Sequence, residues 1–106
     1  GFIETKHLLE TAETHHNVAR ALQSKKQFSQ AIPEFKAALK WMNSAVKAGN
    51  YAIEERNYTQ LRLIEALQDN RQYLQAKLLL KTVDPAKVNQ SALSLYKQLK
   101  RYERNH

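Results

Sequence analysis

Ala21-Leu-Gln-Ser-Lys-Lys-Gln-Phe-Ser-Gln-Ala31 decides the reading of this chain, because it returns as Ala66-Leu-Gln-Asp-Asn-Arg-Gln-Tyr-Leu-Gln-Ala76. The offset is 45 residues and six of the eleven positions are identical. Lys26 against Arg71 and Phe28 against Tyr73 are conservative changes. Each copy falls where one helical stretch ends and the next begins. A period of this length marks an array of helical units.

The helices extend outward from those two turns. Leu8, Leu9, Ala12, Val18, Ala19 and Leu22 recur at helical spacing and predict a first helix from about Thr5 to Ser24. The segment from Ser24 to Phe28 is a turn without glycine, so a residue there is expected to take an unusual backbone angle. Ser29 is the expected N-cap of a second helix whose apolar stripe is Ala31, Ile32, Phe35, Ala38, Leu39, Met42 and Val46. Pro33 is placed in or just past its first turn, where a proline costs little. Gly49-Asn50 is a stop signal.

A third helix is expected over about Tyr51 to Asn70, with Ile53, Leu61, Leu63, Ile64 and Leu67 inward. A fourth is expected over Tyr73 to Thr82, with Ala76, Leu79, Leu80 and Val83 inward. Asp84-Pro85 reads as the start of a fifth helix running to Arg104, with Ala92, Leu95, Tyr96, Leu99 and Tyr102 on one face. The fold class is all-α: two antiparallel helical hairpins, about 5–48 and 51–83, and a closing helix at about 85–104. All lie in one domain of 106 residues.

The units resemble tetratricopeptide repeats. The resemblance rests on Val18, Ala19, Leu22, Phe28, Ala31, Phe35, Ala38 and Leu39. Leu63, Ile64, Leu67, Tyr73, Ala76, Leu80 and Val83 form a looser second copy. It covers roughly residues 12–83. The 45-residue period is longer than the family's, the glycine before the turn aromatic is absent, and Asn43 stands where the family closes its second helix with proline. Other helical-hairpin solenoids, or a plain bundle, accommodate the same pattern. The resemblance implies a right-handed α-solenoid that binds a peptide or helix of another protein, as an adaptor within a larger protein or complex. It places the partner groove at Glu13, His16, Arg20, Gln23, Tyr58, Leu61, Glu65 and Gln68. In one subtype a Lys and an Asn grip a carboxylate-ended tail. Here His16 and Arg20 occupy those places, and that ligand is not expected. The bland alternative for these residues is solvated surface, or cover for a neighbouring helix.

Charge offers a second reading. The net charge is +7. From Arg71 onward eight basic residues face two acidic ones, whereas the preceding seventy residues are nearly balanced. Lys97, Lys100, Arg101 and Arg104 share one helix face and could contact nucleic acid or an anionic surface. An ordinary solvated face is the alternative. A third reading is homo-oligomerisation through the apolar stripe of the first or fifth helix. Trp41 is expected to pack rather than bind.

No chemistry is expected. There is no cysteine, and with two glycines there is no phosphate-cradling loop. His15 and His16 are adjacent, so on a helix they point apart and cannot chelate one ion. No metal, cofactor or catalytic residue is therefore expected. No apolar run reaches the roughly 18 residues of a membrane span. The start, Gly1-Phe2-Ile3-Glu4, reads as that of an excised or processed chain rather than a signal peptide.

Overall fold

A computed structural model describes the backbone of residues 2–49 and 53–106, with side chains from Lys6 onward. Five α-helices and one 3-10 turn make up its regular structure: α1 (Phe2–Ser24), α2 (Phe28–Lys47), α3 (Ile53–Asp69), α4 (Tyr73–Lys81), the turn Pro85–Lys87 and α5 (Gln90–Arg104). The all-α class is as expected. The expected stop at Asn50 and start at Tyr51 lie outside the described residues. The molecule measures 46 × 30 × 22 Å along its principal axes.

Consecutive helices pack on one another, α1 on α2, α2 on α3 and α3 on α4, and α5 lies against α3 and α4. The three-residue links after α1 and α4's short lead-in leave packed neighbours antiparallel. The repeated turns have one geometry. Lys26 and Arg71 both sit at positive φ, 60° and 62°. Each closes its helix with a Schellman-type pair of bonds. Gln27 N–H donates to the Leu22 carbonyl (2.9 Å) and Lys26 N–H to that of Gln23 (3.0 Å). Gln72 and Arg71 repeat this onto Leu67 (2.8 Å) and Gln68 (3.0 Å).

The next helix then begins earlier than the sequence suggested. Its N-cap is Gln27, whose side chain makes no capping bond, and Phe28 is already helical. Ser29 is therefore not the cap. Pro33 consequently stands well inside α2, past the first turn. The helix remains continuous although Pro33 has no N–H for the Ser29 carbonyl, which lies on an exposed residue that water can reach. α2 ends as expected at Gly49, whose φ of +75° favours glycine.

One core joins α1 to α5. Ala19, Ala31, Phe35, Leu61, Ile64, Leu67, Ala76, Leu80, Ala92 and Leu99 lie within it. A smaller cluster of Ala12, Ala38 and Met42 carries Trp41 against it. Ala45, rather than the half-buried Val46, completes the α2 stripe. Val18, expected in the core, is 44% exposed. Ala19 beside it is fully buried, and adjacent positions on a helix diverge by about 100°.

α3 is the central element. It is covered by α2, α4, α5 and the 3-10 turn, so Asn57, Thr59, Gln60 and Gln68 are buried with its leucines. Buried polar groups require partners. Asn57 Nδ2 donates to the Lys87 carbonyl (3.0 Å), Gln60 Nε2 to Thr82 Oγ1 (2.8 Å) and Gln68 Nε2 to the Leu99 carbonyl (3.2 Å).

The fifth helix differs from expectation. Asp84 does cap, accepting from Ala86 N–H at 2.9 Å, but what it caps is the short turn Pro85–Lys87. Val88 is extended (φ −113°, ψ 129°) and buried, and α5 proper starts at Gln90. Burying a β-branched valine in extended backbone interrupts the helix that Asp84-Pro85 would otherwise nucleate.

Candidate partner-binding site

His16 anchors the seam between α1 and α3. Its ring meets Phe35 edge-on (5.8 Å, 68°) and Tyr58 at a tilt (5.7 Å, 45°). Nδ1 lies 3.0 Å from Thr59 Oγ1. Burial, and then the nearby Arg20 and Arg62, push its pKa below that of an ordinary histidine. The imidazole is thus held neutral.

One turn further along, the seam is polar. Arg20 Nη1 donates to Gln23 Oε1 (2.6 Å), and Gln23 Nε2 donates to Glu65 Oε1 (2.8 Å). Arg62 Nη1 reaches the same Glu65 oxygen (3.0 Å), its Nε donates to Tyr58 Oη (3.2 Å), and its guanidinium lies 5.3 Å from the Tyr58 ring centroid. This chain of bonds ties α1 to α3.

The eight expected groove positions therefore separate. Glu13, His16 and Tyr58 line an open groove of about 490 Å³ between α1, α3 and the start of α5. Leu9, Met42 and Ala92 give it an apolar floor, and the exposed carboxylates of Glu13 and Glu55 stand on its rim. Arg20, Gln23 and Glu65 line an adjoining shallow recess, where they bond to one another. Leu61 is fully buried and belongs to the core, not to a groove wall. Gln68 is buried too, its amide held by the Leu99 carbonyl of α5, and it lines a different recess with Tyr73 and Tyr102. For Gln68 the cause is α5, which packs on α3 and supplies the Leu99 carbonyl, whereas Leu61 lies in the core that the helices share.

The four cations on α5 do come together. Lys97, Lys100, Arg101 and Arg104 border one shallow depression with Tyr96 and Glu103, and Lys100 Nζ lies 5.9 Å from the Tyr96 ring centroid. His15 and His16 diverge as expected. His15 Nδ1 pairs with Glu34 Oε2 on α2 at 2.7 Å, while His16 faces α3. Among the described residues, no group of three or more His, Cys, Asp or Glu is placed to hold a metal ion, and no helix is long and apolar enough to cross a membrane.

Sequence reasoning missed a surface on α4. Leu74 and Leu78 are 70% and 55% exposed, and Tyr73 stacks with His106 (5.3 Å) beside Tyr102. The signal was present in Tyr73-Leu-Gln-Ala-Lys-Leu-Leu-Leu-Lys81, which has more apolar positions than one buried stripe requires. Comparison with protein-family models, with curated proteins and with solved structures finds no match.

Proposed function

We propose that this chain is a non-catalytic interaction module, a tetratricopeptide-like helical adaptor that seats a peptide or helix of another protein. The observation that carries this reading is the groove between α1, α3 and the start of α5. It is open, apolar at its floor through Leu9, Met42 and Ala92, and acidic at its rim through Glu13 and Glu55. A groove of this kind suits a segment that presents apolar side chains inward and basic ones at its edges. Tyr58 is the natural anchor, being half-buried and held by Arg62.

The test places a photo-crosslinking amino acid at position 13 and, as control, at the exposed Lys36 on α2. A polypeptide captured from native extract at position 13 only, and lost on Tyr58→Ala or Glu55→Lys, supports the groove. Equal capture at both positions, or none, refutes it.

A second reading is favoured by the clustering of Lys97, Lys100, Arg101 and Arg104 around one depression. Such a face suits a phosphate backbone or an anionic surface. Retention of nucleic acid that falls steeply with salt, and that is lost on charge reversal at Lys97 and Arg101, would select it.

A further inference from the structure

The outward side of α4 combines two features. Leu74 and Leu78 are one turn apart and exposed, on the side of the helix away from the buried Ala76 and Leu80. Lys77 and Lys81, also one turn apart and exposed, run beside them, and α4 contains no acidic residue. At the N-terminal end of α4 the strip leads into a recess of about 230 Å³, whose lining includes Gln68, Tyr73, Leu74, Lys77, Tyr102 and His106. Its aromatic wall is ordered by stacking, with Tyr102 and His106 centroids 4.1 Å apart. Glu103, on its wall, also borders the depression on α5.

We propose that the Leu74–Leu78 face of α4, with the Tyr73–Tyr102–His106 recess, docks an acidic amphipathic helix of a partner protein. Two leucines at this spacing form the ridge that a second helix packs against. Such a groove reads a partner through apolar residues at intervals of three and four. Charge selects the kind of helix. Lys77 and Lys81 flank the strip, and the chain from Arg71 to His106 carries a net charge of +6. A cationic helix is repelled, and one with Asp or Glu beside its apolar stripe is drawn in. Nucleic acid gains nothing from an aliphatic strip, and its counterpart on this molecule is the α5 cationic face. The α4 surface is separate from the α1–α3 groove and does not depend on it.

The test titrates the isotope-labelled chain with two model peptides of about 18 residues, long enough to hold a helix. Both carry the same leucine stripe, one with Glu and one with Lys at the polar positions. The expected result is saturable shifts at amides of residues 73–81 and 102–106 with the Glu peptide. At these same amides the Lys peptide should bind at least about tenfold more weakly, equivalent to roughly 1.4 kcal/mol. Leu74→Ser with Leu78→Ser should abolish the shifts without changing the melting temperature, since both side chains are exposed. Lys77→Glu with Lys81→Glu should reverse the peptide preference. Absence of shifts at these amides with the Glu peptide, or equal binding of both peptides there, overturns the proposal. So does self-association broken by the serine pair, which would give the face to a second copy. Shifts confined to Glu13, Tyr58 and their neighbours overturn it too, and with the Lys peptide alone they leave the groove reading intact.

Discussion

Lys26 and Arg71 share one backbone conformation, with φ of 60° and 62°, although 45 residues separate them. The following glutamines match as well, at ψ 67° for Gln27 and 63° for Gln72. The repeat in the sequence is therefore a repeat of local structure. A left-handed residue closes one helix, and the following glutamine starts the next.

A long side chain at positive φ carries a steric penalty of about 1 kcal/mol that glycine avoids. Lys26→Gly and Arg71→Gly should each raise stability by about 0.5–1 kcal/mol, and Lys26→Val should lower it. Urea unfolding of the three variants checks the sign at each turn.

Ala31 and Ala76 occupy equivalent buried places, 0% and 1% exposed, at the start of α2 and α4. Leucine at either position overpacks the contact with the preceding helix. A loss of about 1–3 kcal/mol is expected. An unchanged melting temperature for both variants would contradict the alignment of the two units.

Asn57 holds the 3-10 turn through the Lys87 carbonyl. Asn57→Ala removes the bond and leaves the Lys87 carbonyl without it, at an expected cost of about 1–3 kcal/mol. Amide hydrogen exchange should quicken at residues 86–89 beyond the global change. Uniform acceleration across the chain would mean that the bond does not act locally.

His16 is held neutral by burial, then by Arg20 and Arg62, so its folded pKa lies below the usual value of about 6.5. The unfolded chain takes up this proton at higher pH than the folded one does. The stability concerned is present above about 6.5 and is lost as the pH falls toward the lowered value. Comparing urea midpoints at pH 7.5 and 5.5, the natural chain should lose more than His16→Gln. Equal losses would remove His16 as the cause.

Much of the fold was legible because its signals are local. The turns at Lys26 and Arg71, the stop at Gly49 and the alternation of Ala31, Phe35 and Leu39 are all set within a few residues. What escaped is tertiary. Gln60 and Gln68 look like surface amides until α4 and α5 cover α3, and Val18 looks like core until the rotation of α1 is known. Asp84-Pro85 announces a helix correctly but not its length, because burial of Val88 decides that. Of the expected groove, Glu13, His16 and Tyr58 do come together. Leu61 went into the core, and Gln68 is covered by α5, whose docking site no short-range pattern reveals. The leucines of α4 were assigned by a periodicity that shows a stripe but not how many sides of the helix are covered.

The amides of α3 also set an order of assembly. Contacts between sequence neighbours close small loops and can form early. The bonds from Asn57, Gln60 and Gln68 reach 30, 22 and 31 residues onward. During synthesis, α1 and α2 can pair while these amides still face water. A chain halted before Gln90 would hold the partners of Asn57 and Gln60, but Gln68 would stay wet until the last helix brings the Leu99 carbonyl to it.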